Sequence, residues 1–397
     1  MKILQVIPYL TPKRGGDVNV CYNLSKQLVG RGHKITIITT DFEFDSEYAK
    51  ILEGYGIKII PFHCVANIKL LLISFSMNKW LESNLKNFDI IHMHNFRSYQ
   101  NIIVYKCAKK YKIPYVLQPH GTTPRIIEKK ILKWFFDIAF GYNILNNAVK
   151  IIAVSKQEAE YDHQMGINNE KISVIYNGMD TDSFKDLPKY GFFRKKYGIN
   201  GKMILYLGRI HKSKGIDFLI EAFARLAKDN KDMILVIAGS DDGCKEKLEK
   251  LIKNFDLVER VIFTGFVDKN DKMSAYVDAD LFIHTVLYMG GVGLTPLESI
   301  LCGTPVIITE ECGEVIKEAN LGHLVKYGDI ACLKDKIKSV MENQREDKEI
   351  VEKGRKYIME NFAWNNIVKL FEDVYDNCIH PSDTRIHPSD IFDTDSR

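Results

Sequence analysis

Short runs of consecutive apolar residues alternate along this chain with longer stretches in which apolar positions recur every three or four residues. KILQVIPYL opens the series as a strand, and NVCYNLSKQLVGRG follows with helical spacing and a Gly stop. KITIITT and IKIIPF predict further strands, then FDIIHMHN, IPYVLQPHG and KIIAVS. The pattern restarts with MILYLGR, MILVIAGS, VIFTGFV, ADLFIHT and TPVIITE. Apolar runs of four to eight residues separated by helices predict parallel sheets built from βαβ units. The fold class is therefore α/β, with two doubly wound domains. Such sheets take their ligands at the carboxyl ends of the strands.

A length of 397 residues fits two or three domains of roughly 150 residues. Turn residues and a charge cluster in KISVIYNGMDTDSF and PKYGFFRKKYGINGK place the seam near residue 190. The expected division is 1–190 and 191–360, with a C-terminal helix over 361–378 that returns to the first domain. The last helical pattern, FAWNNIVKLFEDVYDN, ends near Asn377. IHPSD then occurs twice, and residues 379–397 are expected to be a disordered tail, either native or a remnant. The start, MKILQVIPYL, has a Lys before apolar residues, but TPKRGGD follows in place of a small-residue cleavage site. It reads as a buried strand. No run approaches the roughly 18–20 apolar residues that span a bilayer. The eight cysteines form no C-x-x-C pair, which fits reduced thiols better than disulfides or zinc. A cytoplasmic protein is expected.

Charge changes the picture in one respect. Residues 1–185 hold 24 Lys and Arg against 16 Asp and Glu, whereas the remainder holds 31 against 35. The basic first half suits an anionic partner or membrane surface, or simply a solvated face.

Five stretches carry candidate chemistry. In PKRGGDVNVCYNL, Gly15 and Gly16 follow the first strand and open a helix, so a backbone can approach an anion there or merely turn. The G-x-G-x-x-G dinucleotide fingerprint is absent. In LYLGRIHKSKG, Arg209 and Lys214 follow a strand end, five residues apart, as two cations suited to a diphosphate or as a basic surface loop. In YMGGVGLTPLE, Gly291, Gly293, Leu294 and Thr295 offer backbone N–H groups at a helix start, Pro296 fits the first turn, and Glu298 is expected on that turn. Its carboxylate can accept two ribose hydroxyls or complement the helix dipole. In VLQPHGTTPR, His120 follows a strand and can act on a substrate hydroxyl or be structural. His92 and His94 in IIHMHN share one strand face, but no acid or Cys completes a metal set. Asp278 and Asp280 have metal-binding D-x-D spacing, yet turn and capping roles suit them better.

In this order and spacing the motifs resemble the retaining glycosyltransferases of the GT-B fold, group 1 or family four, from Met1 to about residue 377. The marks include FDIIHMHN, HGT at 120–122, IIAVSKQEAE, ISVIYNGMDTDSF, YLGRIHKSKGIDFLIEAF and CGTPVIIT. The resemblance implies two Rossmann-like domains facing across a cleft, the first binding acceptor and the second a nucleotide-sugar. It implies that Arg209 and Lys214 neutralise the donor diphosphate in place of a metal, and that Glu298 binds the ribose. Leu294 and Thr295 would meet the phosphates, Gly265 and Phe266 the base, and Gly15 and Gly16 would approach the donor phosphates. His120 would lie near sugar and acceptor, with His94 and Asn95 beside the acceptor. No cofactor, metal or nucleic acid is implied. The expected reaction is front-face attack by an acceptor hydroxyl with retention, from a UDP- or GDP-sugar. One position departs: the family's usual first Glu is Gly290 here, so the sugar is held differently, Tyr288 or Met289 packs on it, or transfer is weakened.

The stretches 66–86 and 124–141 are apolar, basic and aromatic, as in interfacial helices near anionic lipid, although a core-facing apolar side would account for them equally. The membrane reading makes the acceptor a polyprenyl-linked glycan or glycolipid, as in cell-envelope polysaccharide synthesis. Two alternatives stand beside transfer: a nucleotide-sugar epimerase of the same fold, and a non-catalytic sugar-nucleotide-binding subunit.

Overall fold

The computed structural model describes residues 1–12, 15–68, 71–125, 129–287 and 293–381. The chain forms two compact units. Met1–Gly178 joins with the segment from Trp364 onward, and Met179–Ala363 forms the second.

The first unit holds strands β1 (Lys2–Val6), β2 (Lys34–Thr40), β3 (Lys58–Phe62), β4 (Ala66–Ile68), β5 (Leu71–Ile73), β6 (Ile90–His94), β7 (Tyr115–Gln118), β8 (Lys150–Ala153) and β9 (Ile172–Val174). Seven of them form one parallel sheet in the order β3-β2-β1-β6-β7-β8-β9, while β4 and β5 make a separate antiparallel hairpin. Side chains alternate between the two faces of each strand. Ile3, Ile35, Ile37 and Ile90 accordingly join one core, and Leu4, Ile38, Ile91 and Met93 the other. Both faces are covered by helices, so the strands read as nearly continuous apolar runs.

The helix Trp364–Ile379 belongs to this unit. Trp364, Ile367, Val368, Phe371, Tyr375 and Cys378 form its buried stripe against the core that also holds Val20, Leu24 and Leu28 of helix Gly16–Gly30.

The second unit adds β10 (Lys202–Leu207), β11 (Met233–Ala238), β12 (Val261–Gly265), β13 (Leu281–His284), β14 (Val306–Thr309) and β15 (His323–Val325), all parallel in the order β12-β11-β10-β13-β14-β15. Asp278 caps helix Phe192–Tyr197, accepting from Gly191 N at 2.5 Å and Arg194 N at 2.9 Å. Asp280 accepts from Arg194 Nη2 at 2.6 Å and Met203 N at 2.7 Å. Both D-x-D carboxylates therefore tie local structure together, and among the described residues no cluster of three or more His, Cys, Asp or Glu is placed to hold a metal.

Three sequence expectations need correction. The division falls at Gly178/Met179, earlier than the turn-rich region near 190. The reason is that Ile172–Val174 pairs with β8 in the first sheet, whereas Met179 N already bonds Phe362 O within the second unit. The stretch 66–86 is not one interfacial helix: it is the β4–β5 hairpin followed by helix Phe75–Asn84, with Leu72, Met77 and Leu81 buried. In the other stretch the core-facing alternative fails for much of the apolar surface, because Ile131, Trp134, Phe135 and Ile138 are exposed. The tail from 382 lies outside the described residues.

In each sheet the strand order reverses once, between β1 and β6 in the first and between β10 and β13 in the second. These switch points are where loops diverge and leave a crevice at the strands' carboxyl ends.

Candidate functional site

In the second unit, β10 ends at Leu207 and the chain runs through Arg209 to Lys214 before helix Ile216–Ala227 begins. The loop is held tightly from both ends. Buried Tyr206 donates its hydroxyl to Arg209 O at 3.1 Å, and Thr285, just past β13, donates to Lys214 O and Gly215 O at 3.1 and 3.0 Å. A side chain on Gly215 would run into Thr285 O, so the helix start can come this close only as glycine.

Two like charges, one of them paired, stand near each other here. Arg209 is exposed and bonds Asp242 at 2.7 Å. Lys214 is half-buried, and first burial, then the Arg209 charge, draw its ammonium below the ordinary lysine value. His284, at the end of β13, is buried and pushed down to about 3, first by burial and then by Lys214. Neither of its ring nitrogens meets a partner among the described residues. A desolvated cation near another cation and above a neutral imidazole is an arrangement that an anion would relieve.

Glu298 sits on helix Leu294–Leu301, whose N-cap is Gly293. It is the fifth helical residue, beyond the first turn expected for it, so the helix-dipole alternative loses its geometry. Leu294, Thr295 and Pro296 occupy that turn, where N–H groups have no intrahelical acceptor and proline costs little. The Glu298 carboxylate is held instead by helix Lys269–Asp278: Lys272 Nζ lies 2.7 Å from Oε1, and Tyr276 donates to Oε2 at 3.0 Å. Burial first, and then Glu298, raise the Tyr276 phenol well above its usual value, so it stays a donor. Each carboxylate oxygen retains a lone pair for a further hydroxyl. Gly265 closes β12 at φ 71° and Phe266 projects into solvent beside it. Gly290 and Gly291, with Tyr288 and Met289, lie outside the described residues.

In the first unit, helix Gly16–Gly30 starts after Gly15, whose φ of 106° favours glycine. A side chain on Gly16 would meet nothing, so no packing requires its absence and the surface stays open to a ligand. Asp17, which the sequence pattern does not single out, accepts from Asn95 Nδ2 at 2.8 Å and from Tyr9 at 3.2 Å. It joins the glycine turn to the end of β6.

His120 follows β7 in a left-handed conformation, φ 54°. Such a non-glycine residue costs on the order of 1–3 kcal/mol and needs its surroundings to hold it. Several groups do. Glu158 accepts from Gly121 N and, at 2.7 Å, from Val154 N, and Thr122 bonds Pro119 O at 2.6 Å and Phe96 N at 3.1 Å. Burial and neighbouring Asp162 push the Glu158 carboxyl up to about 8. Arg97 reaches Thr123 O at 2.7 Å, also bonds Thr122 O, and pairs at 2.8 Å with fully buried Asp137, which Arg125 contacts at 2.7 Å. Burial lowers His120 to about 4, opposed by Asp17.

His94 corrects another expectation. It is fully buried, with Nδ1 2.9 Å from His120 Nε2 and Nε2 2.7 Å from Gln5 Oε1, so it supports His120 and does not itself face a ligand. His92 and His94 do share a strand face, their rings stacking at 4.2 Å, and His92 bonds Tyr375 at 2.6 Å.

Comparison with known proteins follows the same two-part division. Residues 191–357 match the model of the glycosyl transferases group 1 family, and residues 14–183 that of glycosyltransferase family 4. An uncharacterised glycosyltransferase of Methanocaldococcus jannaschii is 27% identical over 353 residues, covering 86% of this chain and 87% of its own. The N-acetyl-alpha-D-glucosaminyl L-malate synthase of Bacillus anthracis is 25% identical over 390 residues, covering 92% and 94%. The Anabaena protein HepE, crystallised with UDP-glucose, has a TM-score of 0.76 at 20% identity and covers 95% of this chain and 100% of its own.

Proposed function

This chain belongs to the group 1 glycosyltransferases of the GT-B fold, and from that premise we propose that it moves a sugar from a UDP- or GDP-sugar to a hydroxyl of a glycan or lipid-linked glycan, with retention. The observation that carries the reading is Lys214, a half-buried cation whose charge is disfavoured by burial and by Arg209 and whose ammonium has no ion-pair partner among the described residues. The two cations take the diphosphate, Arg209 by exchanging Asp242 for a phosphate oxygen. As the glycosidic bond breaks, negative charge grows on the departing phosphate, and fixed cations in a partly desolvated site stabilise that charge more than the ground state. The same cations do the work that a divalent ion does elsewhere, so no metal is required. Glu298 accepts ribose hydroxyls on the lone pairs that Lys272 and Tyr276 leave.

In the first unit the group available to a hydroxyl is His120, neutral at physiological pH. The acceptor hydroxyl attacks the anomeric carbon from the face of the leaving group, and the departing phosphate takes its proton. A lipid-linked acceptor is favoured by Ile131, Trp134, Phe135, Ile138 and Tyr142. Their spacing puts them along one exposed helical side, with exposed Lys130 at its edge. Gly290 stands where the family's usual sugar-binding Glu would be, so another group holds the sugar.

A thermal-shift screen against UDP, GDP and their sugars tests the donor assignment. The true donor raises the unfolding midpoint as its concentration passes Kd. No shift with any nucleotide would remove the proposal. Product anomers read by proton NMR then decide between retention and inversion.

A further inference from the structure

We propose that His94 and Gln5 are positioning residues that fix His120 as the Nε2–H tautomer, so that its Nδ1 faces substrate as a hydrogen-bond acceptor and not as a donor. This rests on the reading of His120 as the hydroxyl-facing group of the transferase.

The tautomer follows from counting protons along a chain of buried contacts. A neutral imidazole carries one N–H and one lone pair, and which nitrogen holds the proton is set by its partners. His94 has both nitrogens engaged, Nε2 by Gln5 Oε1 at 2.7 Å and Nδ1 by His120 Nε2 at 2.9 Å. An amide oxygen only accepts, so His94 Nε2 carries the proton and donates it to Gln5. His94 Nδ1 is then the lone pair, and His120 Nε2 must be the donor to it. The single proton of His120 is used, and Nδ1 is left with a lone pair. No side chain among the described residues takes that nitrogen.

The packing makes the chain stiff. Gln5 and His94 are fully buried on neighbouring strands, where Gln5 of β1 stands opposite His92 of β6. The rings of His92, His94 and His120 stack in series, at 4.2 and 5.2 Å between centroids. Burial keeps His94 and His120 neutral, so the one-proton count applies near pH 7.

The consequence is a chemical filter. A neutral acceptor nitrogen takes a hydroxyl, which can donate, and offers nothing to a phosphate or carbonyl oxygen, which cannot. His120 then discriminates for the hydroxyl-bearing part of the substrates and against their anionic part. A neighbour's control of a histidine tautomer can be worth orders of magnitude in rate.

The test needs no substrate for its first readout. The full-length protein is labelled with 15N-histidine and long-range 1H–15N correlations are recorded at pH 7, with His120 assigned by its disappearance in His120→Asn. The expected spectrum has His94 and His120 both protonated on Nε2. Gln5→Met, which removes the acceptor, should mix the His120 tautomers and lower kcat roughly tenfold or more with donor KM unchanged. Gln5→Glu, which restores an acceptor, should return the wild-type tautomer and most of the rate. His120 protonated on Nδ1 in the wild-type protein, or tautomers that Gln5→Met leaves unchanged, overturns the assignment. A Gln5→Met protein whose tautomers mix while kcat stays normal overturns the positioning role. Loss of the sugar-transfer reading itself would appear separately, as absence of turnover with every donor in a wild-type protein whose spectrum is as expected.

Discussion

The two switch points are alike in topology and opposite in charge. At β10/β13 the loops carry Arg209 and Lys214, and the buried ring beneath them, His284, is neutral and unpartnered among the described residues. At β1/β6 the corresponding residues are Asn95, Asp17 and His120, with buried His94 bonded behind His120: neutral donors and acceptors with one carboxylate. A doubly wound sheet thus provides a place for a ligand, and the residues at its strand ends choose the ligand. In the proposed reading the second unit takes the anion and the first the hydroxyl. A transfer reaction from a sugar diphosphate to an alcohol needs one of each.

Substitutions can break this comparison, and the largest effect is expected in the first unit. Asp137→Ala leaves Arg97 and Arg125 without their buried partner, and should cost about 3–5 kcal/mol in urea unfolding. A loss under about 1 kcal/mol would mean that the His120 turn is held by other means. In the second unit, Lys214→Ala should lower kcat by roughly 100- to 1000-fold while the protein stays folded, as loss of one transition-state charge contact does. Transfer assays at saturating donor would check it.

A smaller effect concerns pH. His284 has a folded pKa of about 3 against an ordinary 6.5, so the unfolded chain binds its proton first as pH falls. The contribution of His284 to stability is therefore full above about pH 6.5 and is lost progressively below it, until about pH 3. At about 1.4 kcal/mol per pH unit, this site contributes a loss on the order of 2 kcal/mol between about pH 7 and pH 5. His284→Asn should flatten the profile by that amount; a parallel profile would show that the ring is protonated or solvated in the folded protein. The smallest effect concerns the exposed apolar stripe. Phe135→Ser should leave stability within about 0.5 kcal/mol. It should weaken co-sedimentation with vesicles containing anionic phosphatidylglycerol by about tenfold, the transfer free energy of part of a phenyl ring. Unchanged vesicle binding would remove the membrane reading.

Much of this was legible in the chain itself, and unevenly so. Long apolar runs such as KITIITT and MILYLG became strands because both faces of a parallel sheet are buried. The three-residue strands at Ile172–Val174 and His323–Val325 carry too few residues for a pattern, and with the first of them the domain seam was displaced. Arg209 and Lys214 were visible because charge directly after an apolar run marks the carboxyl end of a buried strand, where such sheets take their ligands. Glu298 was visible as a residue but not in its geometry, since its partners Lys272 and Tyr276 lie on another helix. Asp17 and Glu158 were missed for the same reason: Asp17 meets a residue 78 positions away and Glu158 one 37 away, and single-sequence spacing does not encode such pairs. His94 was expected beside the acceptor; strand alternation says which face a side chain takes and nothing about what covers that face.

The division of labour between the units can be tested directly by titrating UDP and GDP calorimetrically into the wild-type protein, Lys214→Ala and His120→Asn. One of the two nucleotides should bind the wild-type protein, lose roughly tenfold or more in affinity with Lys214→Ala, and bind His120→Asn as before. Binding that survives Lys214→Ala, or that depends equally on His120, would contradict the assignment of the anion to the second unit.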